Sequence, residues 1–338
     1  MSKIILKLKL MFLPILFMST LISISSLSWF TIWIGLEINL MSFIPLMINK
    51  KKNFSFIKYF IFQSISSTSI LIFSFSLMNL NFLNKLKLWI STMIYLSIIM
   101  KLGMPPFMNW FINIMNNLTW MNCLLLMTWQ KIIPMFMMNL ILTNKLLLKL
   151  NLILMMISSI YSAIISINLN SLKNLLSFSS INHMSWILLM MNMNFKFSIL
   201  YFMLYSFITM TLIFFLIYNK INFLSELISL KKMSKNLLMN LFFIMMSMSG
   251  LPPSLGFFIK LTLILNMTKI NFIIFSVMLI SSSIMMFNYT RMLISNSMFF
   301  SIKYKNSIKK KKIKLFKYYS SWMNITNFLI LNLILNLI

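Results

Sequence analysis

The sequence predicts an all-α, polytopic membrane protein of about eleven transmembrane helices, with inverted repeats and two broken helices. Two observations predict this fold class. The 338 residues are 60% hydrophobic and only 9% charged, which is too few charged residues to cover a soluble protein of this size. In addition, a Gly-x-Pro-Pro motif occurs twice within long apolar segments, at 103–106 and at 250–253.

The length of the apolar segments determines the number of spans, because a helix needs about 20 mainly apolar residues to cross the hydrocarbon core. Lys3, Lys7 and Lys9 precede the first segment as in a signal peptide, but no small-residue cleavage site follows, so we interpret this segment as an uncleaved helix. We expect one membrane domain over 1–338. The approximate cores of its spans are 10–28, 29–48, 57–80, 88–112, 119–142, 147–168, 172–191, 197–218, 237–266, 270–294 and 321–338.

The two Gly-x-Pro-Pro motifs interrupt the fourth and ninth spans. Proline has no N–H and its ring crowds the carbonyl four residues earlier, so Pro105 and Pro106 leave the carbonyls of Lys101 and Leu102 in need of other donors. In a membrane, such a break persists only where protein or a wet cavity surrounds it. The two spans run in opposite directions because they are five positions apart in the order of spans, which is an odd number. Such a pair is typical of transporters built from inverted repeats.

The charge is strongly basic, with 30 Lys and Arg against 2 acidic residues and a formal net charge of +28. The lysines lie between apolar spans, which indicates a membrane surface and not nucleic acid as their partner. Most of them fall in loops on the same side of the membrane as the N-terminus of the chain. This predicts that the N-terminus faces the matrix or cytoplasm and the C-terminus the opposite side. The basic segment 295–320 is predicted to be a matrix-side loop near anionic lipid.

Four ionisable residues within predicted spans are the candidate functional residues: Glu37, Lys101, Lys131 and Lys260. An ionised side chain at mid-membrane costs roughly 2.5 to 3.5 kcal/mol, so each needs a partner or water. Glu37 is the only acidic residue within a span, and a Glu37–Lys101 pair would couple the protonation of the two groups. A static buried ion pair is the alternative for that pair. A lysine that reaches the membrane interface is the alternative for Lys260.

His183 lies near the start of the seventh span, after Ser179 and Ser180. Its titration range suits a proton relay, although a hydrogen-bonded structural histidine fits the sequence equally well. The chain has one histidine and one cysteine, Cys123. The sequence therefore predicts no metal site and no redox cofactor bound by this chain.

Five groups of residues, taken together, form a pattern that is specific for one protein family. They are Gly-Leu-Glu-Ile-Asn at 35–39; Lys-Leu-Gly at 101–103 with Pro106, Phe107 and Trp110; Leu-Thr-Trp-Met-Asn at 118–122 with Gln-Lys-Ile at 130–132; Phe-Ser-Ser-Ile-Asn-His at 178–183; and Gly-Leu-Pro-Pro at 250–253 with Gly256, Phe257 and Lys260. In these motifs, and over nearly its whole length, the chain resembles the mitochondrially encoded subunit 2 family of NADH:ubiquinone oxidoreductase, respiratory complex I, in its shortened animal form. It departs from the family pattern at Met108, Asn113 and Ser185.

The resemblance implies an antiporter-like fold and a role for each matching residue. Glu37 and Lys101 would form the tuning ion pair, Lys131 would be the central relay, and Lys260 would be the lysine toward the outlet on the intermembrane-space side. The resemblance also implies location in the mitochondrial inner membrane. The partners would be other membrane-arm subunits, including neighbouring antiporter-like subunits. NADH, FMN, iron–sulfur clusters and ubiquinone would bind elsewhere in the parent complex.

We therefore expect a core membrane-arm subunit of complex I, which translocates protons while other subunits oxidise NADH and reduce ubiquinone. One alternative is a scaffold or assembly subunit without its own proton path, for which lysine substitutions would change the abundance of the complex but not its pumping. The other is a free-standing cation/proton antiporter, which would purify alone and not within a large assembly that contains flavin and iron–sulfur clusters.

Overall fold

The structure is a computed structural model that describes residues 2–48, 54–78, 84–224, 226, 235–252, 254, 256–258, 260, 261, 264 and 272–297. Within these ranges the regular elements are helical, apart from one antiparallel bridge between Ser171 and Phe223. A 3-10 turn, Trp129–Lys131, lies between α6 and α7. The helices are α1 Ser2–Ser25, α2 Trp29–Met47, α3 Phe54–Met78, α4 Asn84–Leu102, α5 Met108–Asn117, α6 Trp120–Met127, α7 Ile132–Ile141, α8 Lys145–Ser166, α9 Leu172–Met191, α10 Phe195–Asn219, α11 Lys235–Ser249 and α12 Phe272–Ser297.

Helices occupy the first ten predicted spans, and the all-helical membrane fold is confirmed. Segments of α2, α3, α8, α10 and α12, and the stretch from Trp120 to Ile141, are each long and apolar enough to cross a bilayer. The eleventh predicted span, 321–338, and most of the predicted basic loop, 295–320, lie outside the described residues.

The first helix begins earlier than the apolar pattern predicts. α1 starts at Ser2 and not near residue 10, so Lys3, Lys7 and Lys9 lie within the helix. Apolarity marks only the part of a helix inside the hydrocarbon core, whereas lysine is a good helix former that can extend the helix into the interfacial layer.

The helices form two compact units. The first consists of Met1–Ser162 with Lys173–Ile199, and the second of Ala163–Leu172 with Leu200–Ile338. Of the predicted site residues, Glu37, Lys101, Lys131 and His183 belong to the first unit, and Lys260 belongs to the second.

The helical pair α1 and α2 sets the depth of Glu37. Ser28 begins α2 as its N-cap, because its side-chain oxygen accepts the backbone N–H of Thr31 at 3.2 Å. Two residues before Glu37, α2 crosses α1 at Gly35, where a Cβ atom would lie 2.8 Å from the Cβ of Ser23. Any larger residue would push the helices apart, so Gly35 permits the close packing that fixes this part of α2.

α3 occupies a central position in the first unit, where it packs against α2, α4 and α5. Its outward face is apolar and exposed, with Phe60, Ile61 and Ile65. Its inward face is polar and buried, with Gln63 and Ser67. This arrangement is the reverse of a water-soluble helix, because lipid favours apolar groups outside and polar groups need partners inside.

Candidate functional site

The fourth span is broken at its Gly-x-Pro-Pro motif, as predicted. α4 ends at Leu102, and Gly103 follows with a φ of +67°, the left-handed conformation that commonly terminates helices. The backbone N–H of Met104 donates to the carbonyl of Ile99 at 3.2 Å, which closes the last turn. The chain then runs irregularly to Phe107 before α5 begins.

Side chains supply donors to the carbonyls at the end of α4. The Nε2 of Gln63 donates to the carbonyl of Lys101 at 3.3 Å, and the Nε1 of Trp110 donates to the carbonyl of Met100 at 3.1 Å. The sequence predicted that the Lys101 carbonyl would need a donor from outside its helix, and α3 provides it. The break is therefore held by buried protein groups, as the absence of water in a bilayer core requires.

Lys101 and Glu37 both belong to the first unit, and side chains of α3 contact each of them. Lys101 is in the last turn of α4 and is only 6% exposed, while Glu37 is half-buried in the middle of α2. The two side chains are close enough for their charges to interact. The hydroxyl of Ser67 on α3 donates to the Glu37 carboxylate at 2.5 Å. This contact holds one carboxylate oxygen of Glu37 against α3.

Lys131 is the most isolated of the buried cations in the first unit. It ends the 3-10 turn, is 3% exposed, and its ammonium has no hydrogen-bond partner among the described residues. The nitrogen lies 5.0 Å from the centre of the Phe111 ring. A cation over an aromatic face is attracted by the ring quadrupole, but this contact does not replace the hydrogen bonds an ammonium makes in water.

The first break places Phe111 over Lys131. A Cβ atom at Gly103 would lie 2.7 Å from the Cβ of Phe111, so the absence of a side chain at Gly103 lets α5 fold back closely onto the end of α4. Phe111 therefore contacts both the break beside Lys101 and the ammonium of Lys131.

The fifth span is also discontinuous, whereas the sequence predicted breaks only in the fourth and ninth. α6 ends at Met127, the 3-10 turn carries Lys131, and α7 begins at Ile132. The physical reason is Pro134, which has no N–H to donate to the carbonyl of Gln130 and crowds it with its ring. The sequence analysis counted 119–142 as one span and named only the fourth and ninth spans as broken, so this interruption was missed, although Pro134 was the signal in the sequence.

A row of polar side chains on α3, missed in the sequence, connects these elements. Tyr59, Gln63 and Ser67 are spaced by four residues, so they share one face of the helix. The Tyr59 hydroxyl donates to the Oε1 of Gln130 at 3.2 Å, while Gln63 and Ser67 make the contacts to Lys101 and to the carboxylate described above. Polar residues at this spacing inside an apolar span were the signal that could have revealed the row.

The second break lies in the second unit, and there the donor to the carbonyl at the helix end is a lysine side chain. α11 ends at Ser249, and Gly250 follows with a φ of +78°. Lys260 is 8% exposed, and its ammonium donates to the carbonyl of Ser249 at 3.2 Å. A Cβ atom at Gly256 would lie 2.2 Å from the carbonyl oxygen of Ser247, so the chain after the break passes very close to α11. Lys260 thus turns back onto the break and is buried, which disfavours the interfacial alternative.

His183 is buried in α9, and its neighbour Asn182 donates to the carbonyl of Ser159 at 3.4 Å. A relay role for His183 stays a prediction. The described residues contain no group of three or more His, Cys, Asp or Glu side chains that could hold a metal ion. Cys123 is buried, and its thiol lies 3.5 Å from the carbonyl of Met115.

Comparisons with known proteins give a consistent result. The family model described as "NADH:quinone oxidoreductase/Mrp antiporter, TM" matches residues 26–286. NADH-ubiquinone oxidoreductase chain 2 of Anopheles gambiae is 37% identical over 269 residues, which cover 77% of this chain and 77% of that protein. The same chain of Rhipicephalus sanguineus is 38% identical over 287 residues, covering 84% and 88%. A chain of Thermus thermophilus respiratory complex I superposes with a TM-score of 0.77 at 15% identity, covering 90% of this chain and 73% of that one.

Proposed function

Because the chain belongs to the NADH:quinone oxidoreductase/Mrp antiporter transmembrane family, we infer that it is a proton-translocating membrane-arm subunit of respiratory complex I. It acts as a subunit of NADH:ubiquinone oxidoreductase and is a multi-pass protein of the mitochondrial inner membrane. Its partners are other membrane-arm subunits. The parent complex carries NADH, FMN, iron–sulfur clusters and ubiquinone in other chains.

The buried ammonium of Lys131 is the observation that carries the proposed proton path. An ionised lysine at mid-membrane costs roughly 2.5 to 3.5 kcal/mol, and a structural role would require hydrogen-bond partners that the described residues do not supply. A lysine that alternates between charged and neutral forms needs no permanent partner. Lys131 therefore suits a group that takes up and releases a proton, as ionisable residues within transporters commonly do.

Glu37 and Lys101 would form the adjustable pair at one end of this path. Their charges interact, so a change in the position or protonation of one alters the protonation of the other. Gln63 and Ser67 hold the pair from α3, and Phe111 bridges from the break beside Lys101 to Lys131. We propose that energy from ubiquinone reduction reaches this subunit as a change in that pair.

Lys260 would act later in the same path, toward the outlet. Its ammonium contacts the carbonyl at the end of α11, next to a glycine in the left-handed conformation. A carbonyl at a helix C-terminus carries partial negative charge and is a good acceptor for this hydrogen bond. Release of the proton would weaken this contact, because a neutral amine is a weaker donor than an ammonium, so the break and the charge of Lys260 would change together.

Replacing Lys101 by methionine tests the proposed path against the scaffold alternative. We expect proton pumping per complex to fall about tenfold, equivalent to about 1.4 kcal/mol, because Glu37 loses the charge to which its protonation is coupled. The amount of assembled complex should remain near normal, because methionine fills the same volume without a buried charge. Pumping is measured in vesicles against NADH oxidation, and the complex is quantified by its flavin. Lower abundance with normal pumping per complex would instead support a scaffold.

We propose that the N-terminus faces the matrix and the C-terminus the intermembrane space, with the basic segment 295–320 near anionic lipid on the matrix side. The lysines of that segment make it a good substrate for trypsin. We expect cleavage there in inside-out vesicles of the inner membrane and not in mitoplasts, as mapped by mass spectrometry of the fragments. The opposite pattern would reverse the assigned orientation.

A further inference from the structure

The carboxamide of Gln130 is hydrogen-bonded at both ends. Its Nε2 donates to the Oδ1 of Asn39 on α2 at 2.8 Å, and its Oε1 accepts the hydroxyl of Tyr59 on α3 at 3.2 Å. Asn39 and Tyr59 are themselves 3% and 2% exposed. Gln130 itself is partly buried, and its amide has one preferred position because a displacement would leave the buried Asn39 or Tyr59 without this polar partner.

Gln130 directly precedes Lys131 in the three-residue 3-10 turn. This turn joins two short helices, and Pro134 prevents a normal helical hydrogen bond to the Gln130 carbonyl. The turn keeps a backbone hydrogen bond from the N–H of Lys131 to the carbonyl of Thr128 at 3.1 Å, but Pro134 provides no donor to the Gln130 carbonyl. A trans peptide bond holds adjacent Cα atoms about 3.8 Å apart, so a contact that holds Gln130 also restricts the backbone of Lys131.

The two partners of Gln130 belong to α2 and α3, the helices that position Glu37. Asn39 lies two residues after Glu37 on α2, and Tyr59 lies two turns before Ser67, the donor to Glu37, on α3. The amide therefore connects the turn that carries Lys131 to both helices that position the carboxylate. An amide does not titrate, so Gln130 cannot itself relay a proton.

We propose that Gln130 is a positioning residue that sets the separation between Lys131 and the Glu37–Lys101 pair. This inference rests on the proposed function of those three residues in proton transfer. When the bonds to Asn39 and Tyr59 are intact, the Lys131 turn is tied to α2 and α3, and transfer between the pair and Lys131 is efficient. Without them the turn moves independently, and transfer slows because its rate falls steeply with misplacement of the reacting groups.

The test uses Gln130→Met, which keeps the length of the side chain but removes both hydrogen bonds, together with Asn39→Leu and the double variant. All are measured in the assembled complex. We expect Gln130→Met to lower proton pumping per complex about tenfold and to alter its pH profile. The double variant should be no worse than Gln130→Met, because both changes remove the same bond.

Asn151→Leu on α8 is the matched control. Asn151 accepts the hydroxyl of Tyr95 at 3.1 Å and donates to the Oδ1 of Asn192 at 2.7 Å, so it is the centre of a similar buried Tyr–amide–Asn network. This change should lower the stability of the complex and leave pumping per complex and its pH profile unchanged.

Measuring Lys131→Met beside these variants distinguishes failure of the positioning role of Gln130 from failure of the proposed proton path. Normal pumping in Gln130→Met, or additive losses in the double variant, would overturn the positioning role. An equal change of the pH profile in Asn151→Leu would also overturn it. If Lys131→Met pumps normally, the proposed proton path itself fails, whatever the Gln130 result.

Discussion

Replacing Lys131 by methionine is expected to lower proton pumping per assembled complex about 100-fold, the lower range of what a positioned acid–base group contributes. The ammonium is buried, has no hydrogen-bond partner among the described residues, and lies over the Phe111 ring. Methionine occupies the same space without charge. Assembly should therefore be normal or slightly improved, since removal of an unpaired buried charge relieves its cost.

The measurement compares the initial rate of vesicle acidification with NADH oxidation, normalised to flavin. Lys149→Met is the control, because Lys149 is an exposed lysine on α8 of the same unit. It should pump normally. Full pumping in Lys131→Met, or a pumping deficit that follows the loss of complex in proportion, would remove Lys131 from the path.

Replacing Lys260 by methionine is expected to lower both pumping and stability. Pumping per complex should fall about 100-fold, because a group that exchanges protons is lost. The carbonyl of Ser249 would also lose its donor, at a cost of about 1 to 3 kcal/mol for a buried acceptor. The complex should therefore dissociate at a lower temperature, which native gels after heating would reveal.

Lys260→Arg separates these two effects. Arginine can donate to the Ser249 carbonyl but does not deprotonate in proteins, so it should restore much of the stability and little of the pumping. Lys196→Met, at an exposed lysine, serves as the control that should change neither property. Recovery of pumping with arginine would show that Lys260 acts by holding the break and not by exchanging a proton.

The breaks and the buried lysines were accessible to sequence analysis because each violates a strong local rule. Two adjacent prolines cannot continue a helix, and a lysine within an apolar span is costly. Gly103 and Gly250 have the left-handed conformation that terminates a helix at each motif. These features depend only on neighbouring residues, so one sequence was enough to find them.

The contacts between the helices were not accessible in the same way. Gln130 and Asn39 are 91 residues apart in the chain, and Tyr59 and Gln130 are 71 apart. Which helices become neighbours depends on close packing points such as Gly35 and Gly103, and those matter only once the helices have met. The row of polar residues on α3 was visible as a pattern, but its partners were not.

The 3-10 turn at Lys131 was only partly predictable from the sequence. Pro134 gave a clear local signal that the carbonyl of Gln130 would lack its helical donor. The surrounding apolar sequence is nevertheless long enough for one continuous span, and the overall hydropathy obscured the local interruption. Hydrophobic length predicts that a segment crosses the membrane but does not predict that it does so as a single regular helix.

The central claim is that Glu37, Lys101 and Lys131 lie on one hydrated polar path inside the protein. The most direct measurement is a density map of the assembled complex in which ordered waters are resolved. We predict waters hydrogen-bonded to the Lys131 ammonium and linked through further waters or polar side chains to Lys101. A dry, apolar separation between the two amines, or an amine that faces lipid, would contradict the proposed path.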